Sequence, residues 1–142
     1  TRGLTNVAVI IGSTWVQIGF FVIVFLAGLQ SIPQDLYEAA ELDGASPRQK
    51  LWNITMPMMA SSITINVITT TIAGFKAYEL PYNISQGMPG KSTLLMTQRI
   101  YFFGFQDYDY GLGSALSVFV LLIIAAISLI QLIYLKKKED IY

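Results

Sequence analysis

Hydrophobic residues are concentrated in three long stretches of the chain that contain no Asp, Glu, Lys or Arg. These stretches cover residues 3–34, 51–75 and 110–135. A helix needs about 20 residues to cross the roughly 30 Å hydrocarbon layer of a membrane, and each stretch is longer than that. The pattern predicts three membrane-spanning helices, at about residues 7–29, 58–77 and 112–135.

Polar residues interrupt the first two of these spans. Ser13 and Gln17 lie one helical turn apart in the first span, and the second carries several hydroxyl and amide side chains, among them Asn66 and Thr70. Because lipid offers such groups no hydrogen-bond partner, we expect many of them to face protein or water. A polar stripe of this kind either lines a solute pathway or joins neighbouring helices, and the sequence leaves both interpretations open.

Composition narrows the class of protein. Of 142 residues, 54% are hydrophobic and only 13% are charged, which argues against a water-soluble globule. The net charge of zero argues against a nucleic-acid partner. The chain has neither cysteine nor histidine, so the usual thiolate nucleophile, imidazole base and zinc ligands are missing. We therefore predict no catalytic residue, no metal site and no cofactor, and expect a protein that is not an enzyme.

The basic residues beside the spans predict the orientation of the chain. One side holds Arg48, Lys50 and the run 136–138, and the other holds Arg2, Lys91 and Arg99. Because cytoplasmic connections carry an excess of Lys and Arg, we expect the connection before the second span and the C-terminus to be cytoplasmic. The chain begins at Thr1 and an odd number of spans separates its termini, so we also expect a piece of a longer protein.

The connection at residues 79–109 is then predicted to lie outside. We expect Pro81 and Gly104 to interrupt its structure, and residues 92–102 to form a short helix capped by Ser92. Lys76 precedes this connection, near the outer end of its span. Its ammonium is expected to reach the membrane surface along the aliphatic stem, with a charge for the solute as the alternative.

The connection at residues 33–57 carries signals for two short helices joined by a tight corner. Pro33 suits a first helical turn, and Gly44 supplies a left-handed residue that ends the helix. Ser46 then suits an N-cap, with Pro47 at the first position and Gln49 placed to close a capping box. The pattern predicts a helix, a corner at Gly44 and a second helix.

The first of these helices has an unusual surface. Leu36, Ala39 and Ala40 share one face, where the alanines would allow another backbone to approach closely, while Glu38, Glu41 and Asp43 form an acidic rim. Such a surface suits insertion into a cleft of a partner. A helix on the membrane surface and a plain connector remain as alternatives, although surface helices are usually basic and bulky.

Several motifs in this region resemble a known family. They are Glu38-Ala39-Ala40, Asp43-Gly44-Ala45 and Ile54-Thr55-Met56-Pro57, with 27–33, 74–76 and 110–115 as flanking matches. In this order and spacing they resemble the EAA loop of binding-protein-dependent ABC importer permeases, nearest the MalF-like permeases of the carbohydrate-uptake branch. Met56 stands where that family usually has Leu, a substitution of similar volume.

The resemblance implies a fold and a set of partners. It implies an all-α polytopic membrane protein in which residues 1–142 form part of a type I (MetI-like) permease domain, with the helix at about 33–43 as a coupling helix. The implied partners are ABC ATPase subunits, a second homologous permease, an extracellular or periplasmic solute-binding protein, a sugar and the lipid bilayer. The implied location is the bacterial inner membrane, with the EAA loop cytoplasmic.

Two groups of site residues follow from the same resemblance. The residues expected to dock on the ATPase are Glu38, Ala39, Ala40, Asp43 and Gly44. The residues expected to line the substrate pathway are Ser13, Gln17, Asn66 and Thr70. Uncharged amides and hydroxyls suit a sugar or oligosaccharide; another solute, such as a glycerol phosphate, a peptide or an opine, is the alternative. An ATP-independent transporter is a further alternative, although such carriers usually hold a buried acid or histidine within a span.

Overall fold

The computed structural model describes residues 2–85 and 94–139, and all regular structure in these two ranges is helical. Each helix is numbered in chain order, with two short π-helical turns, π1 and π2, between them. The elements are α1 Arg2–Gln30, α2 Gln34–Leu42, α3 Pro47–Lys50, π1 Leu51–Thr55, α4 Met56–Met58, α5 Ala60–Lys76, α6 Glu79–Ser85, α7 Met96–Tyr101, π2 Phe102–Gln106 and α8 Tyr110–Glu139. The predicted all-α class is confirmed for these residues.

Two helices are long and apolar enough, by length and composition, to cross a membrane. These are Leu4–Gln30 in α1 and Tyr110–Lys137 in α8, and each extends a few residues beyond the predicted span. The second predicted span, at 58–77, is shorter than expected because α5 has 17 residues, or about 26 Å of helix. It qualifies as a third span only together with the preceding helical segment, Pro47–Met58.

That preceding segment forms one helical path that we call the arm, defined as residues 47–58. It contains α3, π1 and α4, and it meets α5 at Met59 with a bend of 61°. The second short helix predicted in this connection therefore exists and continues to the base of α5. The five-residue π1 turn lies in the middle of the arm.

The connection at 79–109 corrects several predictions. Pro81 lies inside α6, at its third residue, where a missing backbone N–H costs no helical hydrogen bond. Gly104 likewise lies within π2 and does not end the helical path. The predicted helix at 92–102 is wrong at its start, since α7 begins at Met96; Ser92 lies outside the described residues. Gln98 accounts for the start, because its side chain accepts a hydrogen bond from the backbone N–H that precedes α7, at 3.0 Å.

The chain divides into two compact units, and each is described by itself. The first unit comprises Thr1–Ile18 and Thr70–Leu129. Within it α6 packs on α1 at Gly12, where an added Cβ atom would lie 3.2 Å from Leu80 Cδ2. A Cβ atom added to Gly113 of α8 would likewise lie 3.2 Å from the Gly104 backbone. An aromatic cluster joins the unit's connections: Tyr78, Tyr82, Tyr101, Phe102 and Phe105.

The second unit comprises Gly19–Thr69 and Ile130–Tyr142. Its tightest described approach is between the end of α1 and the start of α5, where a Cβ atom added to Gly28 would lie 2.9 Å from Ser62 Cβ. Met59, at the bend, is buried beside this approach, with its Cε atom 4.0 Å from the same position. The small side chain at residue 28 therefore allows the base of α5 to pack on α1.

Candidate functional site

The corner after α2 is built by Gly44. Its φ of 75° is in the left-handed region, which glycine adopts without a Cβ clash. The Gly44 N–H donates to the Glu41 carbonyl at 3.0 Å, and the Ala45 N–H donates to the Ala40 carbonyl at 2.9 Å. These two bonds form a Schellman motif, so the predicted left-handed stop is confirmed.

The arm begins with the predicted capping box. The Ser46 N–H donates to Gln49 Oε1 at 2.8 Å, and the Gln49 N–H donates to Ser46 Oγ at 3.4 Å, with Pro47 at the first helical position. Each side chain therefore satisfies a backbone donor at the helix start. Both helix ends at the corner are determined by residues a few positions apart in the chain.

The residues predicted to dock on a partner lie mostly on the surface of this corner. Glu38, Ala39, Asp43 and Gly44 are exposed, and Ala40 is half-buried. Glu38 Oε1 accepts a hydrogen bond from Gln34 Nε2 at 3.0 Å, within the same helix. Four of the five predicted docking residues are therefore accessible to a partner.

Leu42 belongs to this surface and was missed from the sequence. It is 90% exposed, the highest value among the exposed large hydrophobic residues described. A leucine is ordinarily expected to be buried, so its residue type gives no signal of exposure. Its position next to Asp43 and Gly44 was the only available indication.

An ion pair joins α2 to the arm. Lys50 Nζ lies 2.7 Å from Glu41 Oε1, with the carboxylate largely exposed. The hydrogen bond and positive charge of Lys50 hold the pKa of the Glu41 carboxyl below its usual value. The sequence placed Glu41 in an acidic rim together with Glu38 and Asp43. In the structure Glu41 makes the contact with the arm.

A hydrogen bond joins α2 to the far end of the arm. Tyr37 Oη and Thr55 Oγ1 are 2.8 Å apart and both residues are half-buried. Thr55 Oγ1 also lies 3.4 Å from the Lys50 carbonyl, to which it donates, so the Tyr37 hydroxyl supplies the hydrogen of the shorter bond. This contact joins residues 18 positions apart, and no local pattern indicated it.

A cavity in the first unit contains two of the predicted pathway residues. Ser13 and Gln17 of α1 line a space of about 340 Å³ together with Lys76, Tyr78 and Glu79. The Gln17 amide also donates to the Ser13 carbonyl at 3.4 Å. Lys76 therefore stands beside the uncharged polar groups. The cavity offers a hydroxyl, an amide, an ammonium, a carboxylate and an aromatic ring to a solute.

The other two predicted pathway residues lie elsewhere. Thr70 lines a separate, more apolar cavity of the first unit, of about 530 Å³, with Phe75 and Met96 among its walls. Asn66 belongs to the second unit and is buried, with 5% of its surface exposed. The structure brings Ser13 and Gln17 together but adds neither Asn66 nor Thr70 to their cavity.

A comparison with known protein families identifies the chain. Residues 1–139 match the family described as "Binding-protein-dependent transport system inner membrane component". The chain belongs to this family. The resemblance drawn from the EAA motifs is thereby confirmed, and so is the expected permease fold. As a member of this family, the chain belongs to a multi-pass membrane protein.

Curated relatives of the permease come from several transport systems. It is 34% identical over 93% of its length to the probable starch degradation products transport permease AmyD of Thermoanaerobacterium thermosulfurigenes. It is 33% identical over 88% to the multiple sugar-binding transport permease MsmF of Streptococcus mutans. It is 33% identical over 92% to the sn-glycerol-3-phosphate transport permease UgpA of Brucella abortus. The alignments cover 45%, 43% and 45% of these relatives, so the chain spans less than half of each.

The sequence predicts no metal site. Within residues 2–85 and 94–139, no group of three or more His, Cys, Asp or Glu side chains is placed to hold a metal ion.

Proposed function

We propose that this chain is part of the membrane-spanning subunit of an ABC importer that carries a sugar or oligosaccharide. The observation that carries the proposal is the exposed corner of α2, with Leu42 and the docking residues on its surface, in a chain that matches the permease family. Small residues let a partner approach closely and carboxylates can bond to its Arg or Lys, so this surface suits a partner's cleft.

The proposed partner at this corner is a separate ABC ATPase subunit. Glu38, Ala39, Ala40, Asp43 and Gly44 form the contact, with the alanines allowing close approach and the carboxylates bonding to Arg or Lys of the partner. Leu42 adds the apolar anchor. A second homologous permease and an extracellular or periplasmic solute-binding protein complete the assembly, in which residues 1–142 belong to one permease domain.

The proposed location is the bacterial inner membrane, with the corner and the C-terminus in the cytoplasm. This orientation rests on the basic residues at Arg48, Lys50 and the run from residue 136. The chain contains no cysteine, so a single introduced cysteine can report the side of the membrane. Leu42→Cys should react with an impermeant maleimide only in inverted vesicles, and Phe105→Cys, at an exposed position of the opposite connection, only in right-side-out vesicles.

The proposed substrate is a sugar because the cavity offers hydroxyl and amide groups at Ser13 and Gln17 and an aromatic ring at Tyr78. Two of the relatives named above are permeases for starch products or multiple sugars, which supports the same class. A phosphate-bearing solute is the second candidate, because Lys76 lines the cavity and the Brucella relative serves glycerol 3-phosphate.

Co-purification of the full-length permease with its ATPase tests the docking proposal. Ala39→Trp places a bulky group on the exposed face of α2 and should release the ATPase while the permease stays in the membrane. Ala126→Trp makes the same exchange at an exposed position of α8 and should leave the ATPase bound. If no ATPase accompanies the unmodified permease, the importer proposal fails and an ATP-independent transporter becomes the better interpretation.

A further inference from the structure

Two side-chain contacts attach α2 to the arm at different heights. Lys50 and Glu41 pair at the first turn of the arm. Tyr37 and Thr55 bond at the end of π1, further along the arm towards α5. A single contact would leave α2 free to pivot about it. Two contacts at separate points restrict rotation of α2 against the arm.

The arm needs such support because its middle is a π-helical turn. In π1 the hydrogen bonds run between residues five apart, and such turns are rare and occur frequently at functional sites. Thr55 closes this turn, since its hydroxyl donates to the Lys50 carbonyl while it accepts from Tyr37. The contact with α2 therefore reaches the arm at its least regular point.

The far end of the arm is held against α1. The arm ends at Met58, and Met59 turns the chain by 61° into α5. The Met59 side chain is buried, and Ser62, one turn into α5, lies against Gly28 with no room for a side chain on the glycine. The bend is thus packed on a second helix.

We propose that α2 and the arm form one rigid lever that pivots at Met59 against Gly28, and that Tyr37 and Thr55 are the positioning residues that make it rigid. A displacement of α2 then carries the arm with it and changes the angle at which α5 leaves the bend. This inference rests on the proposed function, in which a partner ATPase moves α2.

Movement of α5 requires a difference in free energy between two positions of the lever. A partner can move α5 only if its two states favour two positions of the lever. Without the Tyr37–Thr55 bond, α2 can follow the partner while the arm stays in place. The bond therefore affects how ATP hydrolysis is coupled to transport, and not whether the ATPase binds.

The experiment uses the complete transporter in liposomes with its solute-binding protein. Tyr37→Phe and Thr55→Val each remove the bond and nearly preserve side-chain volume. Solute uptake per ATP hydrolysed should fall several-fold in each variant, while the ATPase still co-purifies and hydrolyses ATP. The double variant should be no worse than Thr55→Val alone, because that single substitution already removes the Tyr37–Thr55 bond together with the bond from Thr55 to the Lys50 carbonyl.

Matched controls separate the bond from general effects. Tyr110→Phe and Thr14→Val make the same exchanges at exposed positions away from the lever, and both should leave the coupling ratio unchanged. Thr55→Ser keeps the hydroxyl and should restore coupling. Gel filtration of each variant shows whether the assembly is intact. If Tyr37→Phe does not assemble, the coupling ratios of Thr55→Ser and Thr55→Val are compared instead, because only Thr55→Ser keeps the hydroxyl.

Two results would contradict the proposal that α2 and the arm form a rigid lever. Normal coupling in both single variants would show that the bond is not needed, and additive losses in the double variant would show that the two side chains act separately. Failure of the unmodified permease to bind any ATPase would contradict the proposed function and the lever together. Retained ATPase binding with normal coupling in the variants contradicts the lever alone.

Discussion

Gly28 and Ser62 lie in contact so close that residue 28 has no space for a side chain. A Cβ atom added at Gly28 would lie 2.9 Å from Ser62 Cβ, well inside the normal separation of two carbon atoms. The approach joins the end of α1 to the first turns of α5 within the second unit. Small residues at such contacts allow membrane helices to pack by close van der Waals contact.

Gly28→Ala is expected to destabilise the permease because the added methyl group overpacks this contact, at a cost of about 1–3 kcal/mol. Thermal unfolding in detergent should show a lower midpoint. Gly19→Ala is the matched control on the same helix, since no described atom beyond its own helix lies within 4 Å of the added position. Gly28→Ala combined with Ser62→Gly should recover much of the loss; an unchanged midpoint in Gly28→Ala would contradict the contact.

Gly44→Ala is expected to destabilise the corner by roughly 1–2 kcal/mol, because a left-handed φ places Cβ close to the following carbonyl oxygen. The space around Gly44 is open among the described residues, so the cost comes from the backbone and not from a clash with a neighbour. Gly44→Asn should cost less, since asparagine tolerates this conformation. Equal stability of the alanine and glycine forms would argue against the Schellman corner.

The Glu41–Lys50 pair is expected to make stability depend on pH. The folded-state pKa of Glu41 is lowered from its ordinary value of 4.5, so the pair stabilises the fold above that value and is lost as the pH falls through the lowered pKa. The difference between the wild type and Glu41→Gln should be constant at pH values well above 4.5 and should vanish only once the pH is below the lowered pKa. Because the carboxylate is exposed, the difference should be small and should shrink at high salt.

Lys50→Gln is the control for this measurement. It removes the same pair from the other side, so adding Glu41→Gln to it should change neither the unfolding midpoint nor its pH dependence. A pH-dependent difference that persists without Lys50 would show that Glu41 has another partner.

Gln17→Leu is expected to weaken solute transport, because the lost amide removes a hydrogen bond worth about 0.5–1.5 kcal/mol, or roughly 2–10-fold in apparent affinity. Ser13→Ala should act in the same direction and by less. Thr14→Val is the neighbouring control, since the Thr14 hydroxyl bonds to the Ile10 carbonyl of its own helix. Equal effects of all three variants would indicate a general change in α1 and not a solute contact.

Lys76→Met is expected to identify the class of solute. A hydrogen bond to a charged group is worth about 1.5–3 kcal/mol, so loss of the ammonium should weaken transport of a phosphate-bearing solute roughly 10–100-fold. A neutral sugar should be affected much less. Uptake of both classes by the wild type and Lys76→Met therefore distinguishes the two candidates, and a large loss for neutral sugar would contradict the expected difference.

Much of the fold could be predicted because its signals are local. A charge-free stretch longer than a membrane is thick predicts a span without reference to any other segment. The stop at Gly44 and the capping box of Ser46 and Gln49 likewise depend on residues within a few positions of one another. The EAA motifs indicated the family for the same reason.

Only the tertiary structure decided which distant residues meet. The Tyr37–Thr55 bond, the contact of Gly28 with Ser62 and the grouping of Lys76 with Ser13 each join separate helices. These contacts depend on how each helix is rotated about its own axis. Residue type and spacing along one helix determine its faces, but the free energy of packing against another helix determines which face is used.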